Sequence, residues 1–119
     1  MITDVPSIPR LLELYQTEWC PASRRVRQRL TELNVTYLLR QVPVAPDDRT
    51  ELLLRTGATS VPALVAEDGA TLIGEEAILA YLGSRFSEPA GAEAHRLKAI
   101  KARKRELEEA TRCLEPATH

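Results

Sequence analysis

The spacing of apolar residues changes several times along this chain, and each change marks an element. Residues 11–15 form a short apolar run with Glu13 interrupting it, and the run stops at polar Gln16, Thr17 and Glu18. That is the signature of a buried strand ending at a turn. Beyond Cys20, Pro21 suits a first helical position. Val26, Leu30 and Leu33 then recur at helical spacing, with Arg24, Arg25, Arg27 and Arg29 on the other faces, most of them expected to be solvated, and the helix closes near Asn34. Residues 36–42 carry the β-branched and aromatic Thr36, Tyr37 and Val42 and end at Pro43, which predicts a second strand. Asp47 or Asp48 then caps a short helix reaching Thr56, with Gly57 in the C-terminal position.

Two brief strands, 63–66 and 71–73, flank Asp68-Gly69, a dipeptide that favours a tight turn, and form an antiparallel hairpin. From Glu75 to Phe86 a helix places Ile78, Tyr81, Leu82 and Phe86 on one side, with acids at its positive end. The order βαβαββα implies an α/β fold, a four-stranded mixed sheet with flanking helices. Residues 87–91 separate residues 1–86, read as one domain, from a charged C-terminal helix over 92–114, so that 87–119 is linker plus helix.

The apolar line of that last helix is Leu97, Ile100, Leu107 and Leu114, and something must cover it. Lys104 falls on the same line, where a charge in a two-helix seam is costly. Docking within the chain is therefore expected, and a monomer rather than a homodimer. The helix's basic stretch from Arg96 to Arg105 is followed by Glu106, Glu108 and Glu109, with Arg105 and Glu109 in register for an ion pair. It lacks aromatic residues, so it reads as a solvated face and not as a nucleic-acid surface.

Composition narrows the class. The 119 residues suit one domain, and 44% apolar with 28% charged residues is the balance of a globular chain. A net charge of −1 gives no field that would draw nucleic acid or an anionic membrane. Residues 1–9 have neither a basic start nor an apolar run, so neither a signal peptide nor a span is expected. Only Cys20 and Cys113 occur, which fits a reducing compartment, and the cytoplasm is the expected location. Arginine outnumbering lysine, with abundant alanine, hints at a GC-rich bacterial source.

Cys20 stands where a strand turns into a helix, and unpaired backbone N–H groups and the helix dipole there stabilise a thiolate. It is the candidate nucleophile. Ser23, one turn on, is placed for its hydroxyl to donate to the sulfur. Cys113, nearly a hundred residues away, is expected to pack. His95 and His119 have no metal-ligand spacing with either cysteine, so no metal is assigned.

Three segments resemble a known family: Tyr15 to Arg24 with Trp19-Cys20-Pro21-Ala22-Ser23 at its centre, Ser60-Val61-Pro62, and Leu72 to Leu82 with Gly74-Glu75-Glu76. Together they look like a glutaredoxin or the N-terminal domain of a glutathione transferase, over about Leu11 to Phe86. The resemblance implies a thioredoxin-like fold with Cys20 and Ser23 catalytic and Trp19, Pro21, Val61, Pro62, Gly74, Glu75 and Glu76 binding substrate. It implies a cis Val61-Pro62 bond, with the backbone of Val61 pairing with the peptide part of glutathione. At the segment 74–76 the match is partial: N–H groups could hold a γ-glutamyl carboxylate, whereas the two acids favour an ammonium or a hydroxyl, or simply suit a helix dipole.

Thr17 stands where many glutaredoxins have a lysine for the glycyl carboxylate. The pattern Thr17 to Cys20 also resembles mycoredoxins, which have a second cysteine at the position of Ser23. The implied activity is monothiol thiol-disulfide exchange on small-thiol mixed disulfides, with glutathione or mycothiol as co-substrate, protein mixed disulfides as partners and no tightly bound cofactor. Two alternatives stay open. One is a non-catalytic glutathione-binding or iron-sulfur-carrying module, although Pro21 and Ala22 depart from the C-G-F-S pattern of cluster carriers. The other is a truncated transferase-like interaction domain.

Overall fold

The computed structural model describes residues 10–114. The expectation drawn from residues 1–9 lies outside them. Strand β1, Leu12–Gln16, leads through a turn into helix α1, Pro21–Glu32, and strand β2, Tyr37–Gln41, follows. A 3-10 turn at Pro46–Asp48 precedes helix α2, Thr50–Thr56, and then come β3, Ala63–Val65, and β4, Thr71–Ile73. Helix α3 spans Glu75–Arg85 and helix α4 spans Ala92–Leu114. The sheet order is β2-β1-β3-β4, with β1 parallel to β2 and antiparallel to β3, which pairs antiparallel with β4. This is the four-stranded mixed sheet that the element order implies and the thioredoxin-like architecture that the resemblance implies.

The alternation of β1 decides the layers, because successive side chains point to opposite faces of a sheet. Leu12 and Leu14 meet Val26, Leu30 and Leu33 of the α1 region, Leu64 and Ala66, and Ile78 and Leu82 of α3 in the larger core. Tyr15 faces the other way and packs with Leu52 of α2, Ala63 and Val65. Leu30, Ile78 and Leu82 are fully buried, each worth roughly 1.5–3 kcal/mol of transfer free energy. Those spacings place α1 and α3 side by side on one face, so the start of α1 and the start of α3 become neighbours.

Several expectations need correction. β1 begins and ends one residue later than the apolar run, because Gln16 stays in the ladder: its buried amide donates to Gln41 at 3.0 Å and accepts from Arg27. Neither Asp47 nor Asp48 caps α2. Both sit in the 3-10 turn, and Arg49 is the N-cap residue without a side-chain cap bond. Gly57, at φ 80°, closes α2 in the left-handed conformation as expected.

The remaining corrections concern α4. Ala92 is buried, and Arg96 binds Glu32 and Glu88, but from Ile100 to Leu114 every residue is exposed. The apolar line expected to dock within the chain is therefore uncovered: Leu97, Ile100, Leu107 and Leu114 are all exposed. The line lies alongside the face that Ala92, Arg96 and Ala99 turn to the body, and Ile100 borders the groove against α1 without being buried by it. Cys113 is likewise exposed and not packed. Among the described residues, the α4 ion pairs join Arg96 to Glu93 and Arg103 to Glu106, not Arg105 to Glu109. No helix among these residues is long and apolar enough to cross a membrane.

Candidate functional site

Cys20 is the N-cap of α1, with extended backbone at φ −82° and ψ 117°. Its N–H donates back to the Thr17 carbonyl at 3.3 Å, closing the turn that carries the chain out of β1. Its carbonyl accepts the first helical bond from Arg24 at 3.0 Å. The sulfur takes the role usually played by a capping oxygen and accepts from the Ser23 backbone N–H at 3.4 Å. Pro21 has no N–H to offer, so Ala22 and Ser23 supply the first free donors of the helix.

Burial raises the Cys20 thiol pKa, but the Ser23 side chain, the Ser23 and Ala22 N–H groups and the Arg25 guanidinium together outweigh it, and the thiol is held below its ordinary value. The Ser23 contribution divides unequally. Its N–H is a formed bond to sulfur, whereas its Oγ is fully buried and makes no hydrogen bond of full geometry. The expected hydroxyl donor is therefore a backbone donor first. A buried, unpartnered hydroxyl beside a sulfur is a donor in reserve for the thiolate, since an unmet buried hydroxyl costs about 1–3 kcal/mol. Thr17 Oγ1, 4% exposed, is unpartnered in the same way on the other side of Cys20 in sequence.

The Val61-Pro62 peptide is cis, as the resemblance implies. Pro62 is buried, and its carbonyl accepts from the Gly74 N–H at 2.9 Å, fastening the start of α3 to the start of β3. Gly74 sits at φ 92°, a region that side-chain-bearing residues avoid, and is the N-cap of α3 with no side-chain cap bond. Glu75 then reaches across to α1 and takes Arg25 in a two-pronged pair at 2.5 and 2.8 Å.

That pair changes the reading of Glu75, whose charge is met within the protein by Arg25. It also corrects the view of the α1 arginines as mostly solvated. Arg27 binds Gln16 and Glu18, and Arg29 binds Glu32 and Glu88. Arg25, Glu75, Gly74 and Pro62 are thus joined by one chain of contacts, and Arg25 acts on Cys20 through its charge. Trp19, 64% exposed, and the exposed Pro21 and Glu76 lie outside it.

Two features escaped the sequence. Arg49 is 7% exposed, and its guanidinium donates to the carbonyls of Pro43 at 2.8 Å, Val44 at 2.9 Å and Thr59 at 2.9 Å. It ties the loop after β2 to the segment entering Val61-Pro62, and nothing distinguishes it in sequence from the exposed arginines. The other is a groove of about 510 Å³ between α1 and α4, where Arg24, Arg25, Gln28, His95, Ile100 and Arg103 are among the lining residues. Among the described residues, no three His, Cys, Asp or Glu side chains gather as a metal site would require.

Comparison with known proteins agrees with this geometry. The family model described as "Glutathione S-transferase, N-terminal domain" matches residues 14–90. A solved glutathione S-transferase from Rhodospirillum rubrum F11 is 31% identical over 79% of this chain and 46% of its own, with TM-score 0.56. A glutathione transferase homologue from Sulfitobacter with bound glutathione is 26% identical over 70% of this chain and 44% of its own, with TM-score 0.57. Glutaredoxin 2 from Salmonella typhimurium in complex with glutathione shares the fold, at 23% identity over 61% of this chain and 33% of its own, with TM-score 0.54. The chain spans less than half the length of each of these structures. No curated protein sequence matches it.

Proposed function

Because the chain belongs to the glutathione S-transferase N-terminal domain family, we propose that it binds a small thiol of the glutathione type and uses Cys20 for monothiol thiol-disulfide exchange. The observation that carries this reading is the sulfur of Cys20 capping α1, with its pKa lowered against the effect of its own burial. A nucleophilic cysteine with a depressed pKa is the equipment for exchange.

In the first step the Cys20 thiolate attacks the small-thiol sulfur of a mixed disulfide. A bond forms between Cys20 and the small thiol, the original disulfide breaks, and the protein thiolate leaves and takes a proton. In the second step a second small-thiol thiolate attacks that adduct, releases the small-thiol disulfide and returns Cys20 as thiolate. One cysteine suffices. Val61 would offer its backbone to the peptide part of the thiol, and the first-turn N–H groups of α3, free of a side-chain cap, would receive a carboxylate. Ser23 would hold the thiolate, and exposed Trp19 and Pro21 would border the approach.

The test is turnover of a glutathione mixed disulfide by wild type, Cys20→Ser and Cys113→Ser, with alkylation rates of the two cysteines mapped at pH 7. Cys20→Ser should lose at least about 100-fold, as for an essential nucleophile, while Cys113→Ser keeps most activity and Cys20 alkylates the faster. Full activity in the Cys20 variant ends the enzyme reading. Inactive wild type that still binds glutathione leaves a binding module.

A further inference from the structure

The turn Thr17-Glu18-Trp19 decides where the Cys20 sulfur stands, since Cys20 both ends the turn and caps α1. From within, the turn is weakly fastened. Its backbone bond, from the Cys20 N–H to the Thr17 carbonyl, is 3.3 Å long against an ordinary length of about 2.9–3.0 Å. A threonine at the head of a turn can add a hydroxyl bond to the backbone, yet Thr17 Oγ1 has no partner among the described residues.

The stronger fastening comes from outside, from Arg27. This residue lies seven positions after Cys20, two turns along α1 on the same face, and its guanidinium reaches back toward the start of the helix. It donates to Gln16 Oε1 and pairs with Glu18 at 3.3 Å, so its two partners bracket Thr17. Gln16 is fully buried, and its amide nitrogen donates to Gln41 of β2 at 3.0 Å, which anchors one side of the grip to the sheet. The Arg27 side chain is 19% exposed, against 52% for Arg25, so water competes less for its donors.

We propose that Arg27 is a positioning residue for the Cys20 thiol: by gripping both sides of the turn it keeps the sulfur on the first N–H groups of α1. The inference rests on the reading of Cys20 as the reacting thiol. Position, not charge, is the means. The cation whose charge acts on the sulfur is Arg25, whereas Arg27 directs its own at Glu18 and the Gln16 amide oxygen. A planar guanidinium serves two acceptors in fixed directions, and a lysine ammonium does not reproduce that fork. A turn released from Arg27 lets Cys20 shift on its cap, and the sulfur then loses part of the Ser23 N–H bond at 3.4 Å that favours its thiolate.

Iodoacetamide alkylation of Cys20 in the full chain, followed over about pH 5 to 10 with thermal melting alongside, tests this. Arg27→Met should raise the midpoint and slow alkylation below it about three- to tenfold, as expected for losing most of one hydrogen bond to the sulfur. Arg27→Lys keeps the charge and one donor for Gln16. It should recover less than half of that loss, staying slowed about twofold or more, and it carries the test should Arg27→Met not fold. Arg24→Met removes a cation one turn nearer the sulfur and outside the grip, and should move the midpoint less than Arg27→Met. A midpoint unchanged in Arg27→Met, with only the melting temperature lowered, overturns the proposal, because Arg27 would then be purely structural. Full recovery in Arg27→Lys, or an equal shift in Arg24→Met, overturns it too by assigning the effect to charge. The readout is the thiol itself, so absence of disulfide exchange in wild type would sink the proposed function and leave this result readable.

Discussion

Arg49 is the most informative residue to remove. Its guanidinium is buried, its three partners are backbone carbonyls at 2.8 to 2.9 Å, and two of them lie on a different segment from the third. Arg49→Ala deletes all three bonds at once. Hydrogen bonds to a charged donor are each worth about 1.5–3 kcal/mol, but the carbonyls of exposed Pro43 and Val44 can turn to water, while that of half-buried Thr59 cannot do so fully. The net loss is then about 2–4 kcal/mol, against the full sum of the three.

For a domain of this size that lowers Tm by roughly 8–16 °C. Because Thr59 leads into Ser60-Val61-Pro62, the KM for a small-thiol mixed disulfide should rise several-fold while the Cys20 alkylation rate, set at the other end of the site, holds. Arg49→Lys should recover less than half of the stability, since one ammonium cannot serve three carbonyls in fixed directions. Urea unfolding and steady-state kinetics read both effects. A loss below about 1 kcal/mol in Arg49→Ala would refute the reasoning, because it would mean that water replaces all three bonds.

Two further outcomes follow from the charges. Arg25→Met should raise the Cys20 pKa and slow its alkylation at pH 7 roughly two- to fivefold, as expected for one screened charge. Glu75→Gln, which frees Arg25 from its counter-ion, should move Cys20 the other way, and equal shifts of the same sign would refute the pairing argument. Glu32 joins α1 to α4: burial raises its carboxyl, but Gln28, Arg29 and Arg96 together hold it below the ordinary value. A carboxyl lowered in the folded state contributes stability above its unfolded pKa of about 4.3, and that contribution is lost as pH falls through the folded value. Glu32→Gln should therefore cost about 1–3 kcal/mol at pH 7, and the gap in urea midpoint between it and wild type should close as pH falls below about 4. A gap that stays constant with pH would assign the loss to packing.

The order of elements was legible because each boundary has a local cause. Pro21 opens a helix, Gly57 closes one, and Asp68-Gly69 turns a hairpin in which the Ala70 N–H donates to Asp68 Oδ1 at 3.0 Å. Cys20 was legible for the same reason, since its chemistry depends on the turn immediately around it. What sequence left hidden depends on residues brought together from afar. Glu75 looked like a free acid at a helix start because nothing in sequence places it opposite Arg25, fifty positions away. Arg49 carried no mark in the sequence because its acceptors are main-chain carbonyls, which every residue type supplies. The cover of α4 was misjudged because an amphipathic pattern shows only that a face wants burial and does not say against what.

The same separation of scales explains why the site is built at two helix starts. A thiol in this position meets opposing demands: burial excludes water from the sulfur and raises its pKa, and donors must recover more than burial costs. At the first turn of α1 the backbone itself supplies N–H donors that need no side-chain entropy to fix, so the recovery comes from geometry already required by the fold. The charged contribution of Arg25 is added to that and is moderated by Glu75. Because Glu75 belongs to α3, whose uncapped N–H groups also open beside Gly74 and Pro62, binding of an anionic substrate there would compete with Glu75 for the same positive field.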